Sequence, residues 1–127
     1  MTDNVYYTSH AWLSAETGTP QAKQFIEAYQ KAYGSPPEDS FAALGYDAGK
    51  ILLDALERSK STKPRRIQKA LEKTQDFQGV TGTIGFSKKS HVPLKTVWTI
   101  KVTQGELSLA TEFVPEKVPE PTAVLFD

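Results

Sequence analysis

At 127 residues, with 39% hydrophobic and 24% charged side chains, the chain suits one folded domain with its own core rather than a disordered segment. Its 15 basic residues balance 15 acidic ones, so no net field draws it to nucleic acid or an anionic membrane. It has no cysteine, which removes disulfides, thiolate nucleophiles and zinc–thiolate sites together and leaves the compartment open. The leading Met1-Thr2-Asp3-Asn4 has neither the basic nor the apolar stretch of a signal peptide. No apolar run approaches the roughly 18 residues that a membrane-spanning helix needs.

Val5-Tyr6-Tyr7-Thr8 predicts a short strand, and a polar stretch over residues 9–18 follows it. Thr19 then offers an N-cap with Pro20 at the first helical position. Ala22, Phe25, Ile26, Tyr29 and Tyr33 recur at helical spacing on one face, with Lys23, Glu27, Gln30 and Lys31 opposite. Gly34 is placed to end that helix, and Pro36-Pro37 keeps it from resuming. A second helix, capped by Asp39 or Ser40, is predicted to run to about Ser59. Phe41, Leu44, Ala48, Ile51, Leu52 and Ala55 form one apolar stripe on it, and Ala42, Tyr46, Gly49, Leu53 and Leu56 nearly form another. A helix apolar on most sides calls for cover on most sides. Gly45 and Gly49 suit the close approach of another backbone, which would offset their propensity cost of about 1 kcal/mol each.

Ser61-Thr62-Lys63-Pro64 predicts a third helix, with Ile67, Ala70, Leu71 and Thr74 at helical spacing. The period then switches to two: Val80, Gly82, Ile84 and Phe86 predict a strand with one buried face. Residues 87–93 read as a polar loop and residues 96–102 as a second strand with Trp98, Ile100 and Val102 facing one way. Gln104-Gly105 turns into a third strand carrying Leu107, Leu109, Thr111 and Phe113. Residues 115–121 read as an extended Pro- and Glu-rich tail, and residues 122–126 as a further short strand. The class is α/β: three helices followed by a small antiparallel strand set.

Little in the chain supports catalysis. Its histidines, His10 and His91, lie far apart in separate polar stretches and read as surface residues. There is no His-x-x-x-His, phosphate-cradling glycine loop or nucleophile elbow, so no metal or cofactor is expected. Asp54 and Arg58 read as ordinary helix-surface pairing. Lys63, Arg65, Arg66 and Lys69 lack interleaved aromatics and read as a solvated helix face, not a nucleic-acid contact. A small-molecule site is more plausible at two places. One is the start of the second helix at Asp39, Ser40 and Phe41, where free N–H groups and the helix dipole favour anions. The other is the stretch of residues 9–14, where His10 and Trp12 mix polar donors with a large aromatic. Judged by residue type alone, Phe41 is better explained as a core residue and Trp12 as a packing residue than as ligand contacts.

Three motifs occur in order: Ala22-x-x-Phe25-x-x-x-Tyr29-x-x-x-Tyr33-Gly34, then Phe41-Ala42-Ala43-Leu44-Gly45-Tyr46-Asp47-Ala48, then Asp76-Phe77-x-Gly79-Val80-Thr81-Gly82-Thr83-Ile84-x-Phe86. Over residues 5–105 the chain resembles the C-terminal third of the type I periplasmic binding proteins, in the branch that binds leucine, isoleucine and valine. The resemblance implies part of a two-lobed α/β protein whose lobes, joined by three crossing strands, close on an amino acid by a hinge. Residues 1–14 would form the end of the distal lobe and a hinge crossing. Residues 15–114 would be the C-terminal part of a ligand-binding lobe, and residues 115–127 an extended tail. By the same resemblance Phe41 lines the ligand cleft, joined by Trp12, His10, Ser40 and Asp39, while Tyr46 and Asp47 pack and position the helix.

The implied role is the non-catalytic solute-binding component of an ABC importer, with a permease as partner and an extracytoplasmic location. An intracellular amide or amino-acid sensor of the same fold, or a chain that binds nothing alone, are the alternatives. The family segments that hold the ligand's α-carboxylate and α-ammonium, and the parallel sheet beneath the second helix, are not among these residues. A stripe left without its sheet would wet several large side chains at roughly 1.5–3 kcal/mol each. A homodimer with exchanged elements is therefore expected.

Overall fold

The computed structural model describes residues 4–86 and 91–117. Helix α1 (Pro20–Tyr33) begins where Thr19 is extended and its Oγ1 accepts the Ala22 N–H at 3.1 Å, and it ends at Gly34 with φ 80°. Helix α2 (Ser40–Ser59) begins at Asp39, whose Oδ1 accepts the Phe41 N–H at 2.8 Å, and closes at Lys60 with φ 48°. Helix α3 (Pro64–Leu71) starts on its proline without a side-chain cap. It is shorter than the predicted spacing out to Thr74; that residue lies buried beyond the last turn.

The strands are β1 (Val5–Ser9), β2 (Phe77–Gly79), β3 (Gly82–Phe86), β4 (Pro93–Lys95), β5 (Val97–Thr103) and β6 (Glu106–Phe113). They form two antiparallel sheets, ordered β1-β5-β6 and β2-β3-β4. Strand β1 pairs with β5 from nearly the opposite end of the chain, Val5 opposite Val102 and Ser9 opposite Trp98. The central strand β5 buries Trp98 and Ile100, whereas β6 is exposed along its whole length. The helical core gathers Ala22, Phe25, Ala43 and Val80, with Leu13, Ile26, Tyr29 and Ala42 packed around it. Across the α1–α2 contact the Phe25 and Tyr46 rings stand 5.2 Å apart, within the range of favourable tilted aromatic pairs.

The structure corrects three expectations. First, the alternation from Val80 to Phe86 is not one strand. Val80 and Thr81 form the turn of a hairpin whose other arm is β2, because a carboxylate from α2 grips their backbone N–H groups. Second, the stretch read as a polar loop yields strand β4 at its end, with Pro93 opposite Phe86 and Lys95 opposite Ile84. Third, among the described residues no backbone closes on Gly45 or Gly49, which have open space where a Cβ would stand. The buried side of α2 is the row Ala43, Asp47, Ile51 and Ala55 at i, i+4 spacing, while Phe41, Leu52 and Leu53 are exposed. Neither predicted stripe is the covered one. Of the first only Ile51 and Ala55 are buried, Phe41, Ala48 and Leu52 being exposed, and the second leaves Tyr46, Gly49 and Leu53 exposed. The row that meets the core is shifted round the helix to include Ala43 and Asp47. The short strand expected over residues 122–126, and residues 118–121 of the tail, lie outside the described residues.

Candidate functional site

The start of α2 and the loop after β1 come together. The His10 and Phe41 rings stand with centroids 6.4 Å apart at 51°. Phe41 is 68% exposed, so it presents a phenyl face and is not a core residue. Asp39 spends one carboxylate oxygen capping Phe41. Its negative charge therefore already stands at the positive end of the α2 dipole, where the sequence argument seats an anionic ligand group. Ser40, half-buried, opens the helix between them.

Trp12 goes elsewhere. Its indole N–H donates to Thr17 Oγ1 at 3.1 Å, and Thr17 in turn donates its N–H and hydroxyl to Ser14 Oγ, each at 3.0 Å. This turn orders the segment leading into α1. Of the five residues nominated from sequence, the structure thus joins His10 to Phe41, makes Asp39 the cap that orients Phe41, and engages Trp12 in a neighbouring turn. His91 sits with Leu71 and Phe86 around a separate hollow. Beside His10 a cavity of about 420 Å³ opens between the end of β1 and strand β4, edged by Ser9, Pro93, Leu94 and Lys95.

Beneath this site lies a polar knot. Asp47, 2% exposed, accepts the Val80 N–H on Oδ1 and both the N–H and hydroxyl of Thr81 on Oδ2, each at 2.8 Å. The Thr81 carbonyl accepts the Trp98 indole N–H at 2.9 Å and the Lys95 ammonium at 3.3 Å. Lys95 also donates to the carbonyls of His10 at 2.7 Å and Thr96 at 3.2 Å. Burial pushes the Lys95 pKa below the ordinary value of 10.5, and the Asp47 carboxylate pulls it back up. Two glycines make room for this arrangement. A Cβ on Gly79 would stand 2.5 Å from Asp47 Oδ2, and Gly82 takes φ 107° with Thr96 against it. Sequence reasoning placed Asp47 as a helix-positioning residue but did not see its partners. A carboxylate on the buried i, i+4 row of a helix is the signal that a distant backbone must satisfy it.

Among the described residues no group of three or more His, Cys, Asp or Glu could hold a metal ion, and no helix is long and apolar enough to cross a membrane.

The fold and the three motifs agree with one family. The family described as "Periplasmic binding protein" matches residues 2–106, and the chain belongs to it. A leucine binding protein of Thermotoga maritima is similar in structure, with 33% identity and a TM-score of 0.70 over 89% of this chain. An ABC transporter substrate-binding protein of Desulfitobacterium hafniense, solved in complex with Leu, is 28% identical with a TM-score of 0.66 over 84%. Among curated proteins, Leu/Ile/Val-binding protein homolog 7 of Brucella abortus is 32% identical over 63 residues, 50% of this chain. The chain covers 31% of each of those two solved chains and 16% of the Brucella protein. The family and these relatives mark the chain as related to the solute-binding components of branched-chain amino-acid ABC transporters.

Proposed function

We propose that these residues supply half of an interlobe cleft for a branched-chain or related amino acid, in the solute-binding component of an ABC importer working outside the cytoplasm. The observation that carries this reading is the pairing of the exposed Phe41 phenyl with His10 at the start of α2. It offers an apolar face to an aliphatic side chain. Asp39, standing at that helix start, suits a ligand ammonium better than a carboxylate, whose binding groups then come from the facing lobe. Residues 1–14 act as lobe end and hinge crossing, residues 15–114 belong to one lobe, and a permease receives the loaded protein. The relative solved with Leu supports the ligand class.

Thermal shift with leucine, isoleucine and valine tests the reading, on this chain and on a two-lobed protein containing it. Phe41→Ala should abolish the shift in the two-lobed protein; an unchanged shift removes Phe41 from the site. The exposed α2 face, with Phe41, Leu52 and Leu53 wet, supports a second proposal for the chain by itself: two copies cover this face in a homodimer. Light scattering coupled to size exclusion decides it, and a well-behaved monomer with α2 exposed ends it.

A further inference from the structure

Strand β1 leaves its sheet at Ser9, which pairs with Trp98, so the sheet ladder does not by itself set where His10 lies. Locally, Ser9 Oγ donates to the carbonyl of the buried Ala11 at 3.0 Å and accepts its N–H at 3.4 Å, bracketing His10, and a bond from far along the chain reaches His10 itself. The His10 carbonyl accepts the Lys95 ammonium at 2.7 Å, 85 residues away in sequence. An ammonium carries three donors and no acceptor, and here three carbonyls meet it: His10, Thr81 and Thr96. Those carbonyls belong to different segments, namely the loop after β1, the hairpin turn between β2 and β3, and the link from β4 to β5.

The turn is in turn anchored to α2. Asp47 holds the N–H groups of Val80 and Thr81 and the Thr81 hydroxyl. Asp47 stands six positions after Phe41 in a continuous helix, so the geometry between those two residues is rigid. The contacts therefore close a loop: Phe41 to Asp47 along α2, Asp47 to Thr81, Thr81 to Lys95, Lys95 to His10, and the His10 ring back to the Phe41 ring.

Resting on the reading of His10 and Phe41 as ligand-cleft residues, we propose that Lys95 is the positioning residue of that cleft. By holding the His10 carbonyl to the turn that Asp47 fixes, it sets the imidazole against the Phe41 ring. Lys95 touches no ligand in this scheme. A methionine in its place would keep the aliphatic stem and lose all three bonds; an arginine, whose planar fork spreads its donors, would recover part of them.

The test reads the His10 ring proton resonance by NMR in the whole chain, with His91 as internal reference. Phe41→Leu defines the displacement that the Phe41 ring current imposes on His10. Lys95→Met should move the His10 resonance more than half way to the Phe41→Leu position, Lys95→Arg should move it less, and His91 should stay in place. A folded Lys95→Met variant whose His10 resonance remains at the wild-type position overturns the proposal. If Lys95→Met fails to fold, Lys95→Leu, which likewise carries no donor, decides: an unmoved His10 resonance in that variant overturns it equally. No ligand enters this experiment. A chain in which Lys95→Met displaces His10 while leucine binding proves absent keeps the positioning role and sinks the proposed cleft; the converse result does the reverse.

Discussion

Helix α2 carries two opposite kinds of residue in opposite kinds of place. On its inner side a carboxylate, Asp47, is almost wholly buried, and on its outer side Leu53 is 58% exposed. Hydropathy alone would exchange them. Asp47 can be buried because three donors from the 80–81 turn meet its two oxygens, which offsets the desolvation of a charge. Leu53 stays wet because, among the described residues, nothing packs on that side of α2. Burial along α2 follows available partners, polar or apolar, rather than the side chain's own preference. The inner side is a set of satisfied bonds; the outer side is exposed apolar surface.

The inner side breaks most readily at Asp47. Asp47→Ala strands two buried N–H groups and a hydroxyl, and should cost about 3–5 kcal/mol from the loss of charge-assisted bonds and the unsatisfied donors left behind. Urea denaturation measures it, and a cost under about 1 kcal/mol would mean that the knot does not hold the turn. Gly79→Ala sharpens the same point. Its Cβ would meet the Asp47 carboxylate at 2.5 Å, so a loss of about 1–3 kcal/mol is expected. The double variant Gly79→Ala/Asp47→Ala should cost clearly less than the sum, because both substitutions break one contact.

A smaller effect belongs to Arg58, which extends the comparison to the end of α2. Its guanidinium donates to the Ala70 carbonyl at 2.7 Å and to Thr74 Oγ1 at 2.8 Å, besides pairing with Asp54. This clamps α2 to the end of α3, where a cation also complements the helix dipole. Arg58→Met should lose about 1–2 kcal/mol, and Asp54→Ala should lose only about 0.5 kcal/mol, since an exposed i, i+4 pair contributes little. Equal losses in thermal melts would show the Ala70 and Thr74 bonds to be idle.

On the outer side, Leu53→Glu should change the stability of an isolated copy by less than about 0.5 kcal/mol and yet shift the solution mass from dimer to monomer. A dimer that survives Leu53→Glu pairs through some other face.

The smallest effect concerns pH. The Lys95 pKa is lowered in the fold, so between that lowered value and 10.5 the unfolded chain holds a proton that the folded chain has released. Stability contributed by Lys95 therefore rises with pH across that window. The stability difference between wild type and Lys95→Met should drift in favour of wild type as pH climbs toward 10.5; a drift in the other direction means that the three carbonyls outweigh burial.

Where an element's determinants lie within a few residues of one another, they could be read directly. Thr19 with Pro20, Gly34 and Asp39 mark helix ends through bonds that span two to four positions, and the alternation of Trp98 and Ile100 already placed the inner face of β5. The β2–β3 hairpin was not legible, because its turn is gripped by a carboxylate 33 residues upstream. Strand β4 was hidden for a similar reason: a three-residue strand declares itself only through its partner. At the candidate site, sequence nominated His10, Trp12 and Phe41 but carried no sign of which would meet. The His10 loop is reached by Lys95 from 85 positions away, a contact invisible without the three carbonyls around that ammonium.

What the sequence determined by itself was therefore local and categorical: helix limits, strand period, the absence of thiol chemistry, and three motifs whose order marks the family. Tertiary structure decided that the covered side of α2 is the row Ala43, Asp47, Ile51 and Ala55 rather than either apolar stripe, where the Asp47 charge is satisfied, and that β1 closes onto β5. The physical reason is range. Capping and periodicity act over one or two turns of chain, whereas burying a charge or orienting a loop requires groups brought together across 33 and 85 positions, and only the folded chain makes those meetings.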